Sequence, residues 1–194
     1  MGRKRKLAPD AALDRAMGRF WSHGYGGTSV ADLVDASTLN RGSLYGTFGD
    51  KDALFHACLD RYAANAAGAW LEALERPGAG LAEIRRFFKS LATYAAGDPA
   101  RRGCLMVNTA VELAPHDPKA EATATLHFQR METAFRKVLE RSATSLRPGA
   151  NPAGLAPYLV AVASGLLVLA RAGIDRTSAE RIVDAVLSGL LVNN

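Results

Sequence analysis

Three observations predict an all-α chain. Apolar residues recur at i, i+3 and i+4 over most of the 194 residues, no alternating strand pattern appears, and Gly, Pro and capping residues punctuate the helical runs. The first helix is expected over about Asp10 to His23, with Leu13, Ala16, Met17 and Phe20 on one stripe and Gly24 to stop it. A short helix follows, with Val30, Leu33 and Val34 as its apolar stripe, Ser29 as cap and Asp32 placed to complete a weaker form of the capping box. A second short helix carries Leu44 and Phe48, with Asn40 as its natural cap and Arg41, Gly42 and Ser43 in its first turn. Asp52 to about Leu74 reads as one longer helix, with Leu54, Phe55, Cys58, Leu59 and Tyr62 facing inward and Arg76-Pro77-Gly78 ending it. Beyond come helices over Leu81 to Ala96, Arg101 to Leu113 and Pro118 to Ser142. A loop rich in Pro and Gly introduces the last two, Ala153 to Arg171 and Ser178 to Val192.

Two short helices around a tight turn, between Thr28 and Phe55, have the build of a helix-turn-helix, which places one helix end in the DNA major groove. The dipole and free N–H groups at the start of the second helix suit a phosphate or a base edge. Arg41 offers a guanidinium fork to guanine or phosphate, with Asn40, Ser43 and Thr47 beside it. Tyr45 and Lys51 suit phosphate, as do Thr28 and Ser29 at the other helix start. Gly42 fits a close approach of backbone to DNA.

The residues Phe20, Gly24, Tyr25, Thr28, Ser29, Val30, Gly42, Ser43, Leu44, Tyr45, Phe48, Lys51 and Leu54 follow the pattern F-x-x-x-G-Y/F, T-S/T-V, G-T/S-L-Y-x-x-F-x-x-K-x-x-L. In this the chain resembles the tetracycline-repressor (TetR) family of bacterial transcriptional regulators. The resemblance is strong over roughly the first sixty residues; beyond them it rests on length, helical pattern and short runs such as Arg102 to Asn108. It implies a regulator that binds a double-stranded DNA operator as a homodimer and answers to a small-molecule effector, most simply a repressor released by it. One position departs. Thr38 stands where the family turn carries Gly, and a β-branched residue tolerates positive φ poorly, so a differently shaped turn is expected.

Residues 1–50 are therefore taken as the DNA-binding domain and 51–194 as the effector-binding and dimerisation domain. Its last two helices, with Val160, Ala163, Ser164, Leu167, Val168, Ile182, Val186, Leu187 and Leu190, are expected to pack against a second copy in a four-helix interface. Helical bundles bind ligands in mostly apolar cavities with a few polar groups. The candidates here are Phe88, Cys104, Asn108, Glu112, His127, Phe128 and Met131, from a wider set that includes Phe87, Tyr94, Met106, Thr109, Phe135 and Tyr158. Cys104 follows Arg101-Arg102-Gly103, whose cations can favour a reactive thiolate, so a cysteine-based redox or electrophile sensor is one alternative; a ligand-free DNA-binding protein is another.

Composition bounds these readings. A hydrophobic fraction of 48% and a charged fraction of 22% are ordinary for a soluble globular protein. The net charge is +5, and nearly all of it lies in the first twenty residues, where six Arg or Lys face Asp10 and Asp14. A basic arm over Arg3 to Lys6 suits DNA phosphate or the minor groove. No secretory signal is read, because the basic start runs into Leu7-Ala8-Pro9-Asp10; Cys58 and Cys104 have no CxxC spacing, as expected of a cytoplasmic protein. The charge-free stretch from Pro148 to Ala170 is read as a helix buried on several sides, not a membrane span. There is no Walker loop, G-x-S-x-G or H-E-x-x-H, and His23, His56, His116 and His127 lack metal-ligand spacing, so neither enzyme, cofactor nor metal is expected.

Overall fold

The computed structural model describes residues 9–190, and among them every regular element is helical. The basic arm Arg3 to Lys6 and the end of the last expected helix lie outside the described residues. Helix α1 (Pro9–His23) buries Ala12, Ala16 and Phe20, and Gly24 ends it at φ 76°, its N–H on the Phe20 carbonyl at 2.8 Å. Helix α2 (Val30–Ser37) starts on a complete capping box: the Asp32 N–H donates to Ser29 Oγ at 3.1 Å, and the Ser29 N–H donates to the Asp32 carboxylate at 2.9 Å. Helix α3 (Arg41–Phe48) is capped by Asn40, whose Oδ1 accepts the Ser43 N–H at 2.8 Å. Between them Thr38 takes the left-handed conformation, φ 57° and ψ 14°. The turn thus keeps the backbone that glycine would give it, against the expectation of a different shape. An exposed threonine bears the strain that a glycine would avoid.

Helix α4 (Lys51–Ala64), capped by Asp50, packs on α1, α3, α5, α7 and α8, so it joins the N-terminal helices to the rest. The single helix expected from Asp52 to Leu74 is in fact two. The chain bends at Asn65 (φ −101°, ψ −80°), and α5 (Ala66–Glu75) continues in a new direction. Asn65 and Gly68 both have low helix propensity, and bonds from Asn65 N–H to Arg61 and from Ala69 N–H to Asn65 satisfy the backbone through the bend.

Helix α6 (Leu81–Gly97) is central to the larger part of the molecule, with α8 (Pro118–Arg141), α9 (Pro152–Ala172) and α10 (Arg176–Leu190) packed on it. Phe87, Phe88 and Phe135 form an aromatic knot there, with ring centroids 5.2 to 5.9 Å apart. Helix α7 (Leu105–Glu112) begins four residues later than the sequence predicts. Arg101 (φ 48°) and Gly103 (φ 61°) are left-handed, and a Cβ on Gly103 would stand 2.7 Å from the Leu167 carbonyl, so this segment is a close-packed loop.

In α9 and α10 the two faces are used differently from the expectation. Ala163, Leu167, Val186, Leu187 and Leu190 pack into their own chain's core, while Val160, Ser164 and Ile182 are half-buried. An apolar stripe that is exposed among the described residues lies on the other side of α9, at Tyr158, Leu169 and Val168, the last of them among the residues expected to face a second copy, with small exposed Ala161 and Gly165 between. By length and composition α9 is apolar enough to cross a membrane, but its other face packs on α8 and α6.

Candidate nucleic-acid interface and effector cavity

The start of α3 projects from the N-terminal helices because Leu44, fully buried, and half-buried Phe48 fix its inner face. Asn40, Arg41, Gly42 and Thr47 are then exposed together, with Ser43 and Tyr45 half-buried at the edge. Arg41 makes no ion pair among the described residues; its guanidinium lies 5.8 Å from the Tyr45 ring centroid. Lys51 sits over the Tyr25 ring at 4.1 Å, and the Tyr25 hydroxyl donates to Asp52. Thr28 is placed otherwise. It is fully buried and its hydroxyl donates to the Gly24 carbonyl at 2.7 Å, so its side chain is spent on the turn and not free for phosphate. Ser29 is exposed, its hydroxyl donating to Asp32 at 2.7 Å. The Ser29 hydroxyl and N–H, then Arg19 at 2.7 Å, hold the Asp32 carboxyl down at about 2.

The candidates for ligand contact separate into two groups. Cys104, His127 and Met131 line a cavity of about 110 Å³ with Trp21, Tyr62, Trp70, Phe87, Leu91, Tyr94 and Leu167. Phe88 is fully buried in the aromatic knot, Phe128 is half-buried beside His127, and Asn108 donates to the Arg102 carbonyl at 3.0 Å; none of these three lines the cavity. Glu112 stands outside it too. Its carboxylate accepts the N–H groups of Tyr25 at 3.0 Å and Gly26 at 2.6 Å, so the end of α7 clasps the turn that leads into α2.

Cys104 does not have the surroundings that its neighbours in sequence promised. The Arg102 guanidinium turns to Asp98 at 3.2 Å and to the Trp21 ring at 4.5 Å, and Arg101 lies against Gly173. The thiol is buried, accepts the Tyr62 hydroxyl at 3.4 Å, and burial pushes its pKa up rather than down. Cys58 is also buried, its pKa raised to about 12 by burial. Neither is poised as a thiolate.

The junction between the two parts of the chain runs past this cavity. The Trp21 Nε1–H and the Tyr94 hydroxyl both donate to the Gly103 carbonyl, at 3.1 and 2.8 Å, and Arg171 donates to the Trp21 carbonyl at 3.3 Å. A residue of α1 therefore forms part of the cavity wall.

Two family models match the chain: one described as bacterial regulatory proteins, tetR family, over residues 12–58, and one as tetracyclin repressor-like, C-terminal domain, over residues 80–186. The chain belongs to the TetR family of bacterial regulatory proteins. It is 32% identical over 179 residues to the HTH-type transcriptional repressor ComR of Escherichia coli (strain K12), covering 89% of this chain and 83% of that protein. It is also 32% identical over 194 residues to the HTH-type transcriptional regulator YezE of Bacillus subtilis (strain 168), covering 98% and 100% of the two chains. A solved cysteine mutant of the TetR family transcriptional regulator CifR, complexed with 26bp double-strand operator DNA, superposes with a TM-score of 0.84 at 26% identity, covering 97% of this chain and 100% of that one.

Within this TetR-family regulator, Trp21, Tyr62, Trp70, Leu91 and Leu167 are among the cavity walls that are not sequence-predicted ligand contacts. A signal was available: the chain has two tryptophans, and both line the cavity. Glu112 was legible as a polar residue near the bundle, but its partners are backbone N–H groups almost ninety positions away in sequence, which no local pattern shows.

Proposed function

We propose that this TetR-family regulator is a cytoplasmic repressor that docks α3 in the major groove of its operator as a homodimer and releases DNA when a small molecule fills the cavity beneath Trp21. The observation that carries the reading is the exposed first turn of α3, where Arg41 is left without an acidic partner among the described residues. Arg41 reads a base edge with Asn40, Ser43 and Thr47 near it, Gly42 admits the backbone, and Ser29, Tyr45 and Lys51 hold phosphates. Two copies join along the apolar stripe of α9 with the small residues of α10, an isologous contact that presents two α3 helices to successive grooves. Repression is the activity in the printed name of the ComR relative and is carried here to this chain.

Release follows from linkage. A ligand that binds better when α1 is displaced weakens DNA binding by that same coupling energy. The cysteine-sensing reading has less support than a non-covalent effector, because the Cys104 thiol is buried and shifted away from thiolate. The test is selection of a duplex by the protein from a random pool, followed by gel-shift titration at several salt concentrations. Sequence-selective binding that weakens steeply with salt is expected. Binding without sequence preference would refute the reading.

A further inference from the structure

The cavity beneath Trp21 carries information about the chemistry of its occupant. Its walls are aromatic and aliphatic, with Trp70 set edge-on to Phe87 at 6.0 Å and to Tyr94 at 5.8 Å, and no Asp, Glu, Lys or Arg reaches it. An ion there would be desolvated without a partner. Several polar groups on the wall are already engaged. Trp21 and Tyr94 donate to the Gly103 carbonyl, and Tyr62 donates to Cys104.

Among the described residues, two wall groups make no hydrogen bond: the Trp70 indole N–H, which can only donate, and His127, which can also accept. His127 is 7% exposed and faces the cavity. Burial first, and the Arg130 charge second, bring its pKa down to about 4, so it is a neutral imidazole with one N–H to give and one lone pair to fill. Its ring nitrogens are not among the fully buried unpartnered atoms, so they are left to solvent at the cavity, and a ligand that hydrogen-bonds the imidazole there replaces that solvent with a directed partner.

Size narrows the class further. The volume of about 110 Å³ is somewhat less than the roughly 150 Å³ of an apolar cavity that takes up benzene. Met131, unbranched and adaptable, is the wall that can yield the difference.

We propose, building on the effector reading above, that the cavity takes an uncharged single-ring aromatic molecule bearing one hydroxyl or carbonyl group. Its ring lies against Trp70 and Phe87, its polar group meets the His127 imidazole, and Trp21 reports its presence to α1. The contact is direct: the ligand touches a residue of the helix that carries the DNA-binding unit, on the wall where the Trp21 to Gly103 bond is made.

The experiment uses the full-length chain with phenol, toluene and benzoate as probes, read by tryptophan fluorescence and by release of a duplex selected by the protein. Phenol should bind about tenfold more tightly than toluene, which leaves the imidazole unpaired, and benzoate should bind least. His127→Leu removes a polar group that has no partner to lose, so the variant should fold, bind both neutral probes and no longer prefer phenol. Trp21→Phe should still bind phenol but need more of it to release DNA. Equal affinity for phenol and toluene, or a preference that survives His127→Leu, would overturn the proposal. If a charged ligand fills the cavity and releases DNA, the proposed class is wrong while the effector reading stands. If no compound reaches the tryptophans or changes DNA affinity, both fail.

Discussion

Arg41 and Lys51 stand at the starts of two successive helices, and on the proposed reading they would do different work at the DNA. Arg41→Ala should cost about 1 to 3 kcal/mol of operator binding and relax specificity at one base position, because a lost base contact is felt only by sequences that carried the base. Lys51→Ala should weaken all sequences about equally and lower the salt slope. Gel-shift titrations of both variants on matched and mismatched duplexes check the split. His127 gives a prediction of another kind. Its folded pKa of about 4 lies below the ordinary 6.5, so the unfolded chain binds more protons between these values. Its contribution to stability is therefore complete above pH 6.5 and is lost as pH falls towards 4, by up to about 3 kcal/mol. Denaturant unfolding of the wild type and His127→Leu over that range should show the wild type losing this much more than the variant. Ser29, Asp32 and Asn40 were legible in the sequence because a cap is a local arrangement. Thr28 and Cys104 were not: the hydroxyl of one is buried in the turn behind Gly24, and the arginines beside the other turn away to Asp98, Trp21 and Gly173.

The turn between α2 and α3 is the element where a local rule is broken. Thr38 holds φ 57° while exposed, so it keeps a strained backbone with little burial in return. A left-handed β-branched residue costs about 1 to 2 kcal/mol, and glycine gives back about 0.5 to 1 kcal/mol through the entropy of the unfolded chain. Thr38→Gly should therefore stabilise the protein by up to about 1 kcal/mol with DNA affinity unchanged, which thermal unfolding beside a gel shift would show. Helix order and the apolar faces of α1, α2 and α3 followed from periodicity alone. The bend at Asn65 and the late start of α7 did not. A weak helix former permits a bend without requiring one, and the loop before α7 goes with the close approach of Gly103 to the Leu167 carbonyl, a contact over more than sixty residues. Glu112 works in the same long-range way, since one carboxylate at the end of α7 holds the turn before α2.

At the scale of the molecule, release of DNA by an effector requires two things of one chain: a surface that pairs with a copy, and a path from the cavity to α3. On the proposed reading, pairing uses the exposed face of α9, so Val168→Asp, which puts a charge on a residue 49% exposed in the single chain, should leave the fold intact and give monomers in light scattering. Leu187→Asp should unfold the chain instead, because Leu187 is part of the protomer's own core. The sequence showed that α9 and α10 were too apolar for solvent, but it could not say which face turns inward. On the proposed reading, the path from cavity to DNA would run through Trp21 and the Gly103 loop to α1, while Glu112, outside the cavity, ties the end of α7 to the turn before α2. The central claim, that a dimer sets two α3 helices into successive major grooves, is tested most directly by footprinting a duplex selected by the protein. Two protected half-sites with centres about 34 to 36 Å apart are expected, with Val168→Asp losing the paired pattern. A single protected site at wild-type affinity, or paired protection that the monomeric variant reproduces, would contradict it.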